Sequence, residues 1–140
     1  SEEGSMQMRA MLSITNDLER IGDIYFQMGK AFEKKDDKKR YFTPEQRDGL
    51  NALNKVLGEA FRIMTANLES GYGTISMEGA REKEREINQL RNRLKKEHHT
   101  SMKNPEYNMQ SAVIYSDLYS SYEKVGDHVI NVSEAVAGEI

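Results

Sequence analysis

The chain of 140 residues contains no cysteine and no tryptophan, only two prolines, and no long apolar run. Without cysteine there is no disulfide framework, no thiolate zinc or iron–sulfur site and no cysteine nucleophile. Without about 18 consecutive apolar residues there is no membrane-spanning helix, and no apolar stretch follows a basic start, so nothing reads as a secretory signal. An excess of basic charge is missing too. The 20 Lys and Arg stand against 23 Asp and Glu, a net of −3, which gives nucleic acid no electrostatic footing. The length suits one domain spanning 1–140. So few prolines, with charge scattered among apolar positions, point to long helices. The first residue is serine, not methionine, and the expectation is a piece of a longer chain.

Three stretches read as connections: the charge cluster Lys34–Arg40 running toward Pro44, the turn Ser70-Gly71-Tyr72-Gly73-Thr74, and Ser101–Pro105. Thr43-Pro44-Glu45-Gln46 is a start signal with an N-cap, a proline at the first helical position and a capping-box glutamine. Ser76-Met77-Glu78 is a weaker start, and Pro105 suits the first turn of a last helix. Between these marks apolar residues recur every three or four positions, as in Ile14, Leu18, Ile21, Tyr25, Met28 and Phe32, or Leu118, Tyr122, Val125, Val129 and Val132. The spacing predicts helices over about 5–35, 44–70, 76–101 and 105–138 and no strand. The fold class is therefore all-α, an antiparallel four-helix bundle.

Charge is sorted along the chain. Residues 81–105 hold eight Lys or Arg and four Glu, whereas residues 106–140 hold one Lys and six acids. A basic third helix and an acidic fourth would attract each other as solvated faces. A second reading makes Arg91, Arg93, Lys95 and Lys96 a docking strip for an acidic partner or an anionic membrane surface. The apolar stripe there is too thin for insertion into a membrane.

The chain also repeats itself. Shifted by 104 positions, Glu19-Arg20-Ile21-Gly22-Asp23 falls on Glu123-Lys124-Val125-Gly126-Asp127, and the flanking apolar positions correspond. Residues four apart on a helix sit one turn above another. Glu19 and Asp23 thus form one acidic pair, and Glu123 and Asp127 a second. Each pair lies roughly 140–180° round the helix from its apolar stripe and is expected to face outward. An outward position excludes an inward di-iron centre of the Glu-x-x-His type, and no such motif is present. Paired carboxylates repel unless something compensates them. A hard metal ion would do so, with iron, magnesium, calcium or manganese suiting oxygen donors better than zinc. So would Arg20, Lys124 or the basic residues of the third helix. Gly22 and Gly126, inside helices, call for close approach of a neighbouring helix or of a bound ion.

The doubled Glu-Arg-Ile-Gly-Asp and Glu-Lys-Val-Gly-Asp signature resembles the PhoU family of phosphate-uptake regulators. The resemblance implies three-helix repeats whose third helix carries the motif E/D-x-x-x-D. Glu19, Asp23, Glu123 and Asp127 match that motif and would hold surface-bound metal ions, such as iron, zinc or manganese. The likeness extends over essentially the whole chain, with helices two to four as one complete repeat and helix one as the last helix of a preceding repeat. A full regulator would be longer by about two helices. The shortened unit looks like the cytoplasmic C-terminal domain of bacterial sodium/phosphate cotransporter-related proteins, at the inner face of the membrane. A phosphate transporter's membrane domain or a phosphate-signalling protein is the partner this implies, and a homodimer is compatible with it.

The remaining residues add little. His98-His99 reads as a cationic cap at the end of the third helix. His128 points away from Asp127, whereas Asn131, one turn on, could add a neutral oxygen to it. Asp17 and Asp117 break the repeat and read as surface acids. No nucleophile and base stand at a useful spacing, so no catalytic residue is named and the reading is a non-enzymatic regulatory domain. Two rivals are a helical scaffold or dimerisation bundle without ligand, and a carboxylate–metal enzyme, which would need an open coordination position beside a pocket.

Overall fold

Local chemistry sets where each helix begins. In the computed structural model, which describes residues 1–139, Ser1 Oγ accepts the Gly4 amide at 3.0 Å and opens α1 (Glu2–Asp37). Thr43 and Gln46 form the full capping box at the start of α2 (Pro44–Ser70). The weak signal before α3 (Glu78–Ser101) is weak in fact: Met77 stands at the N-cap with no side-chain bond. The fourth helix starts later than the proline suggests. Asn104 Oδ1 takes the Glu106 amide and holds Pro105 in a turn, while Asn108 caps Ser111 and opens α4 (Met109–Ala137). Gly71, at φ +93°, follows the last residue of α2, where a side chain would be strained.

The four helices alternate in direction. Asp17 and His128 join α1 to α4, with Ala10 beside Val136 at one end and Lys34 beside Val113 at the other. Gln46 meets Tyr107 and Asn67 meets Ser133, so α2 runs with α4, while Arg81 at Glu139 and His98 at Tyr115 set α3 against it. The order is antiparallel, as the sequence predicts, but the arrangement is not a symmetric four-cornered bundle. Helix α4 packs against all three others, α2 packs on α3, and the α1 backbone comes close to α4 alone. A three-helix unit, α2 to α4, thus carries α1 as an added helix on one side.

The core follows from that placement. Leu53, Leu57, Leu94, Leu118, Val125, Val129 and Val132 are fully buried, each worth about 1.5–3 kcal/mol when removed from water. Gly126 is one reason α3 comes so near: a Cβ there would stand 3.1 Å from Ile87 Cδ1. Around α4 the buried positions occupy two faces, one under α1 and one under α2 and α3. Helix α1 buries only one, along Ala10, Asp17, Ile21 and Met28. Leu18 and Tyr25, expected in the core, are exposed: the α1 backbone comes close to α4 alone, and Tyr25 reaches α2 only with its ring, 6.3 Å from that of Phe61.

Candidate functional site

The repeated acids sit on different backgrounds. Glu19 and Asp23 are exposed on α1, each two positions from Ile21 and hence on the side of the helix away from α4. Asp127 is exposed on α4, and Glu123 is half-buried, in an ion pair with Arg91 of α3. The outward orientation expected from spacing thus describes Glu19, Asp23 and Asp127, whereas Glu123 leans toward α3. The two pairs do not converge. Among the described residues no three His, Asp or Glu side chains come together as a ready-made metal site.

On α4 the acids crowd one another. Partial burial raises the Asp127 pKa, and the neighbouring carboxylates of Glu123 and Glu84 raise it further, against smaller opposite effects of His128 and Arg91. Glu84, on the α3 face turned toward this spot, is absent from the sequence motif. The chemistry of the donors fits a hard cation: two carboxylates one turn apart, a third whose charge is felt there, and a proton affinity raised by burial and by repulsion. Glu123 and Asp127 would hold such an ion, in competition with Arg91 for Glu123. The added positive charge would relieve the repulsion.

Sequence reasoning places two side chains wrongly. Asp17 is no surface acid: it is 6% exposed, and its Oδ1 accepts from His128 Nδ1 at 2.8 Å and from Asn131 Nδ2 at 3.4 Å. This buried polar clamp ties α1 to α4 and uses the Asn131 amide nitrogen as a donor. The signal lay in the stripe itself, since Asp17 stands one turn before Ile21. His98 is no cationic cap either. Buried among Tyr107, Tyr115 and Tyr119, it takes the Tyr107 hydroxyl at Nδ1 (2.9 Å), while that hydroxyl accepts from Gln46 Nε2. Burial pushes its pKa down, with a smaller push from His99, so the ring is neutral.

The basic strip divides. Arg91 is spent on Glu123, and Arg93 faces Glu97 at 3.6 Å. Lys95 and Lys96 stay exposed and line a shallow depression with His99 and Lys103 at the end of α3. No helix among the described residues is long and apolar enough to cross a membrane.

Residues 74–136 match the family model of the PhoU domain. The span takes in α3 and nearly all of α4, with Glu84, Arg91, Glu123 and Asp127, and leaves α1 and α2 outside. It covers less of the chain than the doubled motif implies. Neither the curated proteins nor the solved structures gave a match. The PhoU family is regulatory and non-enzymatic, and the match supports a role in regulating phosphate homeostasis.

Proposed function

We propose that this chain is a PhoU-like regulatory domain that controls phosphate transport by contact with a partner, without catalysis of its own. The observation that carries the reading is the PhoU match over α3 and α4, the two helices whose Glu84 and Glu123 carboxylates raise the Asp127 pKa. The partner is a phosphate transporter's membrane domain, as in sodium/phosphate cotransporter-related proteins, or a phosphate-signalling protein. Contact at the inner, cytoplasmic face of the membrane follows from that choice.

Metal ions enter the reading as a modulator. Glu123 and Asp127 would hold one ion beside Glu84, and Glu19 and Asp23 a separate one on α1. The separation of the pairs weighs against a bridge locking α1 to α4 within one chain, and each ion would instead set the charge of its own helix face. The Arg91–Glu123 pair supports a second reading, a helical scaffold that needs no ligand, because it already compensates one acid. Deleting the segment from cells that carry it is expected to uncouple phosphate uptake from the external phosphate level. Uptake that follows external phosphate as before would overturn the proposal.

A further inference from the structure

The two ends of the bundle differ in charge. One end collects the close of α1, the start of α2, the close of α3 and the start of α4. There Gln46 meets Tyr107, Tyr107 meets His98, and Ser111 Oγ donates to the Tyr41 carbonyl at 3.3 Å. Residues 30–48 and 93–113, which build that end, hold eleven Lys or Arg against seven Asp or Glu, whereas the rest of the chain holds nine against sixteen. The net of −3 is a basic cap on an acidic body. Among the described residues, Lys34, Lys38, Lys39, Arg40, Lys95 and Lys96 are in no ion pair, and all but Arg40 are exposed.

Apolar side chains stand in water among these cations. Tyr41, on the connection into α2, is 69% exposed, and Met109 and Val113, in the first turns of α4, are 53% and 55% exposed. Met109 and Val113 line a cleft of about 370 Å³ together with Lys34, Lys38 and Arg40. The Arg40 Nε is buried and has no hydrogen-bond partner among the described residues, an orphan donor that an anionic oxygen would satisfy. Basic and apolar side chains around one cleft suit a molecule with an anionic head and an apolar body. The volume is that of a small ligand, such as a lipid headgroup with its first carbons, and falls short of a helix about 10–12 Å across.

We propose that this end of the bundle docks on the anionic surface of a phospholipid bilayer. The lysines lie against the headgroups, Arg40 takes a lipid phosphate at the cleft, and Tyr41, Met109 and Val113 sit at headgroup depth. A tyrosine suits that depth, because its ring is apolar and its hydroxyl stays wet. The excess of acids on the rest of the molecule is repelled by the same surface, which fixes the end that faces it. An acidic protein would answer the charge alone; a bilayer answers the charge and the exposed apolar side chains together. Adsorption of this kind needs no spanning helix, and no described helix is long and apolar enough to be one. Nor does it depend on a role in phosphate transport.

Flotation of the whole 140-residue protein with vesicles is the test. Vesicles of phosphatidylcholine alone are compared with vesicles carrying about 30% phosphatidylglycerol, at about 0.1 M and about 0.5 M salt. Binding is expected to the anionic vesicles only, and to fall at the higher salt. Lys38→Glu/Arg40→Glu should weaken it about tenfold or more. Tyr41→Ser/Met109→Ser leaves the charge unchanged and should weaken it about threefold or more. Arg9→Glu/Arg20→Glu makes the same charge change away from the basic end and should leave binding within about twofold. None of the six positions is buried, and circular dichroism melting checks that the fold is kept. No flotation, equal binding to both kinds of vesicle, or equal weakening by the two charge-reversing pairs overturns the inference. So does salt-sensitive binding of fluorescent polyglutamate, lost in Lys38→Glu/Arg40→Glu, in a protein that does not float, which would assign this end to an acidic protein.

Discussion

Two glycines at equivalent places in the repeat carry opposite expectations. Gly22 is in open space, so Gly22→Ala should stabilise the isolated chain by about 1 kcal/mol through helix propensity. At Gly126 the near side chain is Ile87 at 3.1 Å, and Gly126→Leu should cost about 1–3 kcal/mol through overpacking. Urea unfolding of both variants checks the pair, and equal effects would remove the asymmetry between the helices. Asp17→Ala removes the acceptor of His128 and Asn131 and should cost about 1.5–3 kcal/mol in the same assay, the usual value for bonds to a charged group. His98 adds a pH dependence. Its folded pKa lies below the ordinary 6.5, so the unfolded chain takes up the proton more readily and stability is lost as pH falls below 6.5. Thermal melts should show a smaller loss over that range in His98→Gln. Asp127 has the opposite shift. Its folded pKa is raised, so its ionisation at neutral pH weighs against the folded state, and Asp127→Asn should raise stability there by about a few tenths of a kcal/mol, read as a small rise in Tm. Added manganese or iron(II) should raise the wild-type Tm and raise that of this variant less.

At the scale of helices, much was legible because the signals were local. The capping box fixed the start of α2 at Pro44, and the glycine after Ser70 marked its end. Pro105 misled because an asparagine turn and a second asparagine cap act after it, and side-chain caps outweigh a proline's mere compatibility with a first turn. The α1 stripe was found but centred wrongly. Period alone cannot say which of two apolar rows meets a neighbour, and α4, the helix that decides, is about a hundred residues away in sequence. Asp17 was lost for the same reason: an acid within an apolar row is explained only by a partner such as His128. Glu84 was invisible because it joins the α4 acids through packing and not through spacing.

For the whole molecule, one helix with two packed faces and its counterpart with one make the chain lopsided. The three-helix unit holds the core, and α1 hangs on α4 by one apolar row and a buried polar clamp. That construction suits a domain that responds through its surface: crowded acids on α4, an exposed apolar row on α1, exposed lysines at the end of α3. The claim that joins these parts is regulation of phosphate transport by a domain whose paired carboxylates matter. Radiolabelled phosphate uptake tests it most directly, in cells carrying the wild-type segment, the Asp23→Asn/Asp127→Asn double variant, or no segment. The account predicts that uptake follows external phosphate only with the wild-type segment and that the double variant behaves as the deletion. Uptake that responds to external phosphate equally in all three would contradict it.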